Sequence, residues 1–81
     1  MINTDLGIKL TWYGWFSGNT NVMCFEYNGN KFRILVTNRL NEEPIFYPQY
    51  IDDDIGAVDF APNAEYTYDE CIRLIKKFEL E

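Results

Sequence analysis

Hydrophobic and polar residues alternate along residues 22–27 and again along residues 30–37, as in two strands that each bury one face. Between them, Asn-Gly at 28–29 is the preferred pair for a two-residue type I′ turn, where both positions need a positive φ. A turn centred there sets these opposed pairs: Tyr27–Asn30, Glu26–Lys31, Phe25–Phe32, Cys24–Arg33 and Met23–Ile34. One pair is oppositely charged and one is aromatic, and both types stabilise antiparallel strands. The sequence therefore predicts this hairpin and its register.

Residues 8–16 alternate in the same way and are predicted to form a further strand, joined by the turn-forming residues 17–21. Gly14 lies between large rings, where it either makes room for a neighbour or marks a bulge. The more apolar side of this strand is expected to face the core, and it carries Ile8, Leu10, Trp12 and Phe16.

Residues 38–66 give a weaker pattern, and the segment 44–62 is central to it. The stretch "IFYPQYI" has the composition of a strand, but Pro48 restricts it to a sheet edge or to irregular structure. "AVDF" follows an acidic turn and can form a short strand. One or two short edge strands are predicted here.

A helix over residues 68–79 is predicted to close the chain. "TYDE" matches a capping box, in which Thr67 accepts from the amide of Glu70 while the Glu70 carboxylate reaches back to the amide of Thr67. An apolar stripe at helical spacing gives this helix one face to bury: Cys71, Leu74, Ile75 and Phe78.

Residues 1–81 are therefore predicted to be a single α+β domain. The expected sheet is a three-stranded antiparallel meander, over about 8–16, 22–27 and 30–37, with short edge strands beside it. The C-terminal helix is expected to pack on the sheet face that carries Phe25 and Phe32.

That arrangement leaves Tyr13 and Trp15 on the sheet face away from the helix. The hairpin register adds Lys31, Arg33 and Leu35 to the same face. Because Tyr, Trp and Arg are enriched at interaction hot spots, this face is a candidate partner-binding surface. In the alternative interpretation, residues 44–62 fold across the face and bury its rings.

Charge divides the chain into two halves, although the net charge is −6. The first forty residues hold two acids against four bases, and the remainder holds eleven acids against three bases. This balance disfavours direct nucleic-acid binding and favours a protein partner with a basic surface. An ordinary acidic surface that maintains solubility is the alternative. The acidic residues assigned to partner binding are Glu42, Glu43, Asp52, Asp53, Asp54 and Asp59.

Few residues suggest catalysis. The chain has no histidine, which removes the commonest general base and metal ligand. The adjacent acids 52–54 do not match the alternate spacing of a calcium loop. Cys24 and Cys71 form no CxxC pair and are expected to be separate thiols. We therefore expect no enzyme activity, no metal and no cofactor. The N-terminus lacks the basic and apolar regions of a secretory signal, so a cytoplasmic location is expected.

The leading hypothesis is a non-enzymatic module that occludes a basic, possibly nucleic-acid-binding, site on a partner protein. In size, charge and fold class the chain is similar to phage-encoded inhibitors of host defence such as anti-CRISPR proteins, which would place it in the host cytoplasm; no specific motif carries this likeness. One alternative is a nucleotide-type ligand stacked on Tyr13 and Trp15, with its phosphate held by Lys31 and Arg33. Another is a homodimer that buries the mixed sheet face.

Overall fold

The computed structural model describes residues 8–61 and 65–78, which form a five-stranded antiparallel sheet and one C-terminal helix. The sheet order follows the chain, so each strand lies beside its sequence neighbour. This α+β arrangement confirms the predicted class and extends the predicted meander from three strands to five. The elements are β1 (Ile8–Ser17), β2 (Thr20–Tyr27), β3 (Asn30–Arg39), β4 (Glu42–Asp52), β5 (Gly56–Asp59) and α1 (Tyr68–Lys77).

The hairpin of β2 and β3 has the predicted turn and register. Asn28 and Gly29 have φ angles of 54° and 80°, as a type I′ turn requires. All five predicted pairs form, including Glu26 with Lys31 and Phe25 with Phe32. The expected second hairpin is also present, with Ser17 opposite Thr20. The local turn chemistry therefore sets the register of the β2–β3 hairpin and the position of the β1–β2 turn.

β4 is longer than the edge strand expected around Pro48, and it lies between β3 and β5. The backbone explains how this strand accommodates prolines. The N–H of Phe46 points away from β3 and donates to the carbonyl of Tyr66 at 3.1 Å. Pro48 is two residues further along, so its nitrogen points to the same side. β5 pairs only with residues 49–52, so none of the described strands lies beside Pro48 on that side.

α1 begins with the predicted capping box. The amide of Glu70 donates to Thr67 Oγ1 at 3.2 Å, and the amide of Thr67 donates to Glu70 Oε1 at 2.9 Å. The helix ends at Lys77, two residues earlier than predicted. Its buried Cys71 and Ile75 contact the core of the sheet. That core also contains Phe25, Phe32, Ile34 and Val36.

The helix covers one side of the sheet, which we call the covered face. The side chains of β2 and β3 that point to it are those of residues 21, 23, 25 and 27 and residues 30, 32, 34 and 36. The other side is called the open face, because no described helix or strand lies over it. No described helix has the length and apolar character needed to cross a membrane.

Candidate binding face

A β-bulge changes which side chains of β1 reach the open face. Leu10 pairs with Phe25, but the next pair is Trp12 with Cys24, so Thr11 is an extra residue in β1. Beyond this bulge, and as far as a second one near the end of the strand, each side chain of β1 points to the face opposite to the one that regular alternation from Ile8 predicts. Trp12 therefore lies on the open face, and the prediction that it belongs to the core is wrong: its exposed fraction is 54%.

The same bulge moves the two rings that the sequence assigned to a binding face. Tyr13 pairs with Met23 and Trp15 pairs with Asn21, which places both rings on the covered-face side of β1. They remain 55% and 68% exposed, because α1 packs over the centre of the sheet and not over this edge. The predicted grouping of these rings with Lys31, Arg33 and Leu35 therefore does not form.

Trp12 and Phe16 occupy the open face in their place. Gly14 leaves the room that the Trp12 ring needs, since a Cβ on Gly14 would lie 2.6 Å from the end of that ring. Val22, which pairs with Gly14, is only 5% exposed although none of the described elements lies above it. Phe16 is 44% exposed. The open face therefore carries two large rings near the β1 edge of the sheet.

Arg33 lies on the open face and is held by a polar network that runs across three strands. Its Nε donates to Gln49 Oε1 at 2.6 Å, and its guanidinium carbon lies 5.1 Å from the centre of the Phe16 ring. Gln49 Nε2 in turn donates to Asp59 Oδ1 at 2.7 Å. Both Arg33 and Gln49 are half-buried. This network fixes one cation next to one exposed ring.

Tyr47 belongs to the same network. Its pKa is raised above 10.0, first by burial, then by the charge of Asp59 and by a hydrogen bond to that carboxylate, with a smaller contribution from Tyr66. The hydroxyl therefore stays protonated near neutral pH and donates to Asp59. The β3–β4 register brings Tyr47 beside Leu35, where the two side chains continue the apolar part of the open face.

Lys31 and Arg33 border a shallow recess of about 370 Å³ on the open face. Cys24 and Glu26 also line it, but neither Tyr13 nor Trp15 does. The proposed nucleotide site therefore lacks its stacking rings. The Glu26 carboxylate in the same wall would also oppose a phosphate.

The acidic residues assigned to partner binding do not share one surface. Glu42 and Glu43 lie at the start of β4, and Asp52 lies at its end, about 30 Å away at the usual rise per residue. Glu42 forms an ion pair with Arg39 at 2.9 Å. Asp52 accepts from the amides of residues 54 and 55, so it stabilises the β4–β5 turn. Of the predicted acids, Asp59 alone belongs to the network on the open face.

A second recess, of about 570 Å³, lies where the start of α1 meets β4. Glu43 from the predicted acidic set lines it, together with Arg39. Three further carboxylates and three rings also line it: Glu65, Asp69, Glu70, Phe46, Tyr66 and Tyr68. Among the described residues, no group of three or more cysteine or acidic side chains is arranged to hold a metal ion.

The sequence missed the contributions of Phe16, Tyr47 and Gln49 to this face. Each depends on a long-range fact: the position of a bulge for Phe16, and the β3–β4 register for the other two. Comparison with protein-family models, with curated proteins and with solved structures finds no match to this chain. The geometry of the open face is thus the main guide to function.

Proposed function

We propose that the protein is a non-enzymatic binding module that docks its open face on a partner protein. The observation that carries the proposal is the group of side chains that no described element covers: Trp12 and Phe16 beside the anchored Arg33. An exposed apolar patch with a polar rim is typical of a protein contact site. Trp and Arg are also the residues that most often dominate binding energy.

The fixed position of Arg33 supports this role. A free arginine loses side-chain entropy when a partner immobilises it, and this loss reduces affinity. Here Gln49 and the Phe16 ring already hold the guanidinium, and Asp59 orients Gln49. Part of the side-chain entropy of Arg33 is therefore already lost when the chain folds. Arg33 and the Phe16 ring can then contact a partner with little further loss of entropy.

Net charge suggests the class of partner. The chain carries −6, and such a field accelerates encounter with a basic surface. The open face itself carries the Asp59 carboxylate beside Gln49, while the acidic ends of β4 lie further from the exposed rings. We therefore propose a protein partner with a basic surface, which the module inhibits by occlusion in the cytoplasm. An anti-defence role of the anti-CRISPR kind is the specific form of this proposal.

Capture on immobilised protein tests the proposal. The wild type should retain a protein from a lysate of the cells that produce it, and binding should weaken as salt rises, because charge-led contacts are screened. Arg33→Ala should weaken the binding of the same protein by about 2 kcal/mol or more, as at a hot spot. The matched control is Arg73→Ala, which removes the same charge from the exposed side of α1.

Folding of both variants is verified by circular dichroism before capture. Equal retention by Arg33→Ala and Arg73→Ala would contradict the proposal. Retention that does not change with salt would contradict the proposal that the partner has a basic surface. The contact would then depend on the apolar side chains of the open face alone.

A further inference from the structure

The two edges of the sheet differ in length and in chemistry. β5 forms one edge with only four residues, whereas β1 forms the other with ten. Within residues 8–61 and 65–78, no strand pairs with the outer side of β1, so its outward N–H and C=O groups have no strand partner there. Natural edge strands are usually protected by charges, prolines or bulges. β1 has no proline, and Lys9 is its one charged residue.

Two bulges interrupt the pairing of β1 with β2. Thr11 and Phe16 are the irregular positions, and between them residues 12–15 pair regularly with β2. This short segment carries exposed rings on both faces of the sheet: Trp12 on the open face, and Tyr13 and Trp15 on the covered-face side. A strand added here would therefore meet aromatic side chains above and below.

We propose that this edge pairs with β1 of a second copy of the chain, antiparallel about a two-fold axis at Gly14. In that register Trp12 lies opposite Phe16 of the second copy on the open face. Tyr13 lies opposite Trp15 of the second copy on the other face. Each pairing occurs twice, and aromatic pairs directly across antiparallel strands are stabilising. The axis passes through a residue without a side chain, where the Trp12 ring already lies.

Other registers are less complementary. A shift of one residue would place Trp12 opposite Trp15, and these side chains point to opposite faces. A two-fold axis at Tyr13 would place Trp12 opposite Gly14 and leave Phe16 without an aromatic partner. A register centred on Gly14 is thus the one that pairs all four rings with rings.

The distribution of charge also favours a second copy at this edge. Two chains of charge −6 repel each other, so a contact is best made far from the acids. Residues 11–17 contain no charged side chain. The carboxylates of β4, β5 and α1 lie on the opposite half of the sheet. The acidic surfaces of a β1–β1 dimer would therefore lie at its two outer ends.

The expected dimer is weak. An aromatic side chain buries about 150–250 Å² when it is fully enclosed, and the rings on β1 are already partly covered. A contact made by one short strand and these rings falls below the roughly 1,200–2,000 Å² of stable complexes. We therefore expect a monomer–dimer equilibrium that depends on concentration, with the monomer dominant in dilute solution.

Sedimentation velocity over a concentration series tests this inference. The wild type should show a concentration-dependent dimer, and Trp15→Lys should weaken dimerisation at least tenfold, because it places a charge opposite Tyr13 of the second copy. Leu40→Lys is the matched control: it makes the same charge change at a β3–β4 turn residue that is 87% exposed. A wild type that stays monomeric up to about 1 mM would overturn the proposal, as would equal weakening by both variants.

Cysteine cross-linking tests the register. In a Cys24→Ser background, a mixture of Tyr13→Cys and Trp15→Cys chains should form a disulfide-linked dimer, because residues 13 and 15 oppose each other. Each chain alone should cross-link much less. Cross-linking that is equal in the mixture and in the single preparations would overturn the register. Because Trp15→Lys lies away from Arg33, it should keep the captured partner, so failure of the dimer and failure of the proposed function are distinguishable.

Discussion

The two faces of one sheet both carry aromatic and aliphatic side chains, but these reach different degrees of burial. On the covered face, Phe32 and Ile34 are almost fully enclosed, and the Phe32 ring lies 5.2 Å from that of Phe78 and 5.6 Å from that of Tyr50. Among the described apolar residues of the open face, only Val22 is buried to a similar degree. The rest of that face is half-exposed.

The difference shows how this small chain divides its aromatic residues. α1 is only ten residues long and reaches the centre of the sheet but not the β1 edge. The rings below it therefore contribute to folding, because they are removed from water. Trp12 and Phe16 gain little from folding in this way, and they remain available for contact with another molecule.

Substitution of adjacent residues in β3 is expected to give the largest contrast between the faces. Ile34 is fully buried on the covered face, so Ile34→Ala should lower the free energy of unfolding by about 2–5 kcal/mol. Leu35 points to the open face and is only half-buried, so Leu35→Ala should cost clearly less. Urea denaturation of the two variants measures both values. Equal losses would mean that a layer covers the open face in solution.

The pH dependence of stability should report the burial of Cys71 beneath α1. Burial is the main reason that the pKa of this thiol is raised from 9.0 to about 12, with a smaller effect of Glu70. The unfolded chain releases the proton more readily, so this contribution is intact below pH 9 and is lost as the pH rises toward 12. By pH 11 the wild type should therefore have lost stability that it keeps at pH 8.

Cys71→Ala provides the control for this titration, since every other titratable side chain is the same in both chains. The stability difference between wild type and variant should be constant from pH 6 to 8 and then shift in favour of the variant. A difference that does not change up to pH 11 would show that the thiol is accessible and that α1 does not cover it as described.

Local sequence signals predicted the parts of the fold that depend on neighbouring residues. The Asn28–Gly29 turn and the cap at Thr67 each rely on contacts within a few residues, and both are confirmed. The strand β4 was underestimated because Pro48 excludes a strand with neighbours on both sides. Whether its nitrogen faces an empty side depends on how far β5 extends, and that is a property of the assembled sheet.

The candidate site was harder to predict than the fold for a related reason. A single extra residue at Thr11 inverts the side-chain direction of the strand beyond it, and no residue type marks such a bulge uniquely. The sequence allowed two interpretations of Gly14, as room for a neighbouring ring or as a bulge. In the structure Gly14 makes room for Trp12, and the bulge lies three residues earlier, at Thr11. Lys31, Arg33 and Leu35 were grouped correctly because they follow from the hairpin register.

The capping box should contribute a smaller, local part of the stability of the covered face. Thr67→Ala removes the hydroxyl that accepts from the amide of Glu70, and it should lower the free energy of unfolding by about 1 kcal/mol. Thr67→Ser keeps the hydroxyl and serves as the control. If the alanine variant loses no more stability than the serine variant, α1 does not depend on this cap.

Tryptophan quenching should give the smallest change in the protein and the most direct test of the two faces. Trp12 lies on the open face and Trp15 on the covered-face side, yet both are more than half exposed. In the single-tryptophan variants Trp15→Phe and Trp12→Phe, acrylamide should therefore quench the remaining indole in each case, and more strongly when that indole is Trp15. A neutral quencher is preferable to iodide, because the net charge of −6 repels an anion from the whole chain. Measurement in dilute solution keeps the chain monomeric.

A shielded Trp12 would mean that the open face is covered in the free protein, and the proposed docking surface would then be excluded. A shielded Trp15 with an accessible Trp12 would instead show that the covered layer extends to the β1 edge.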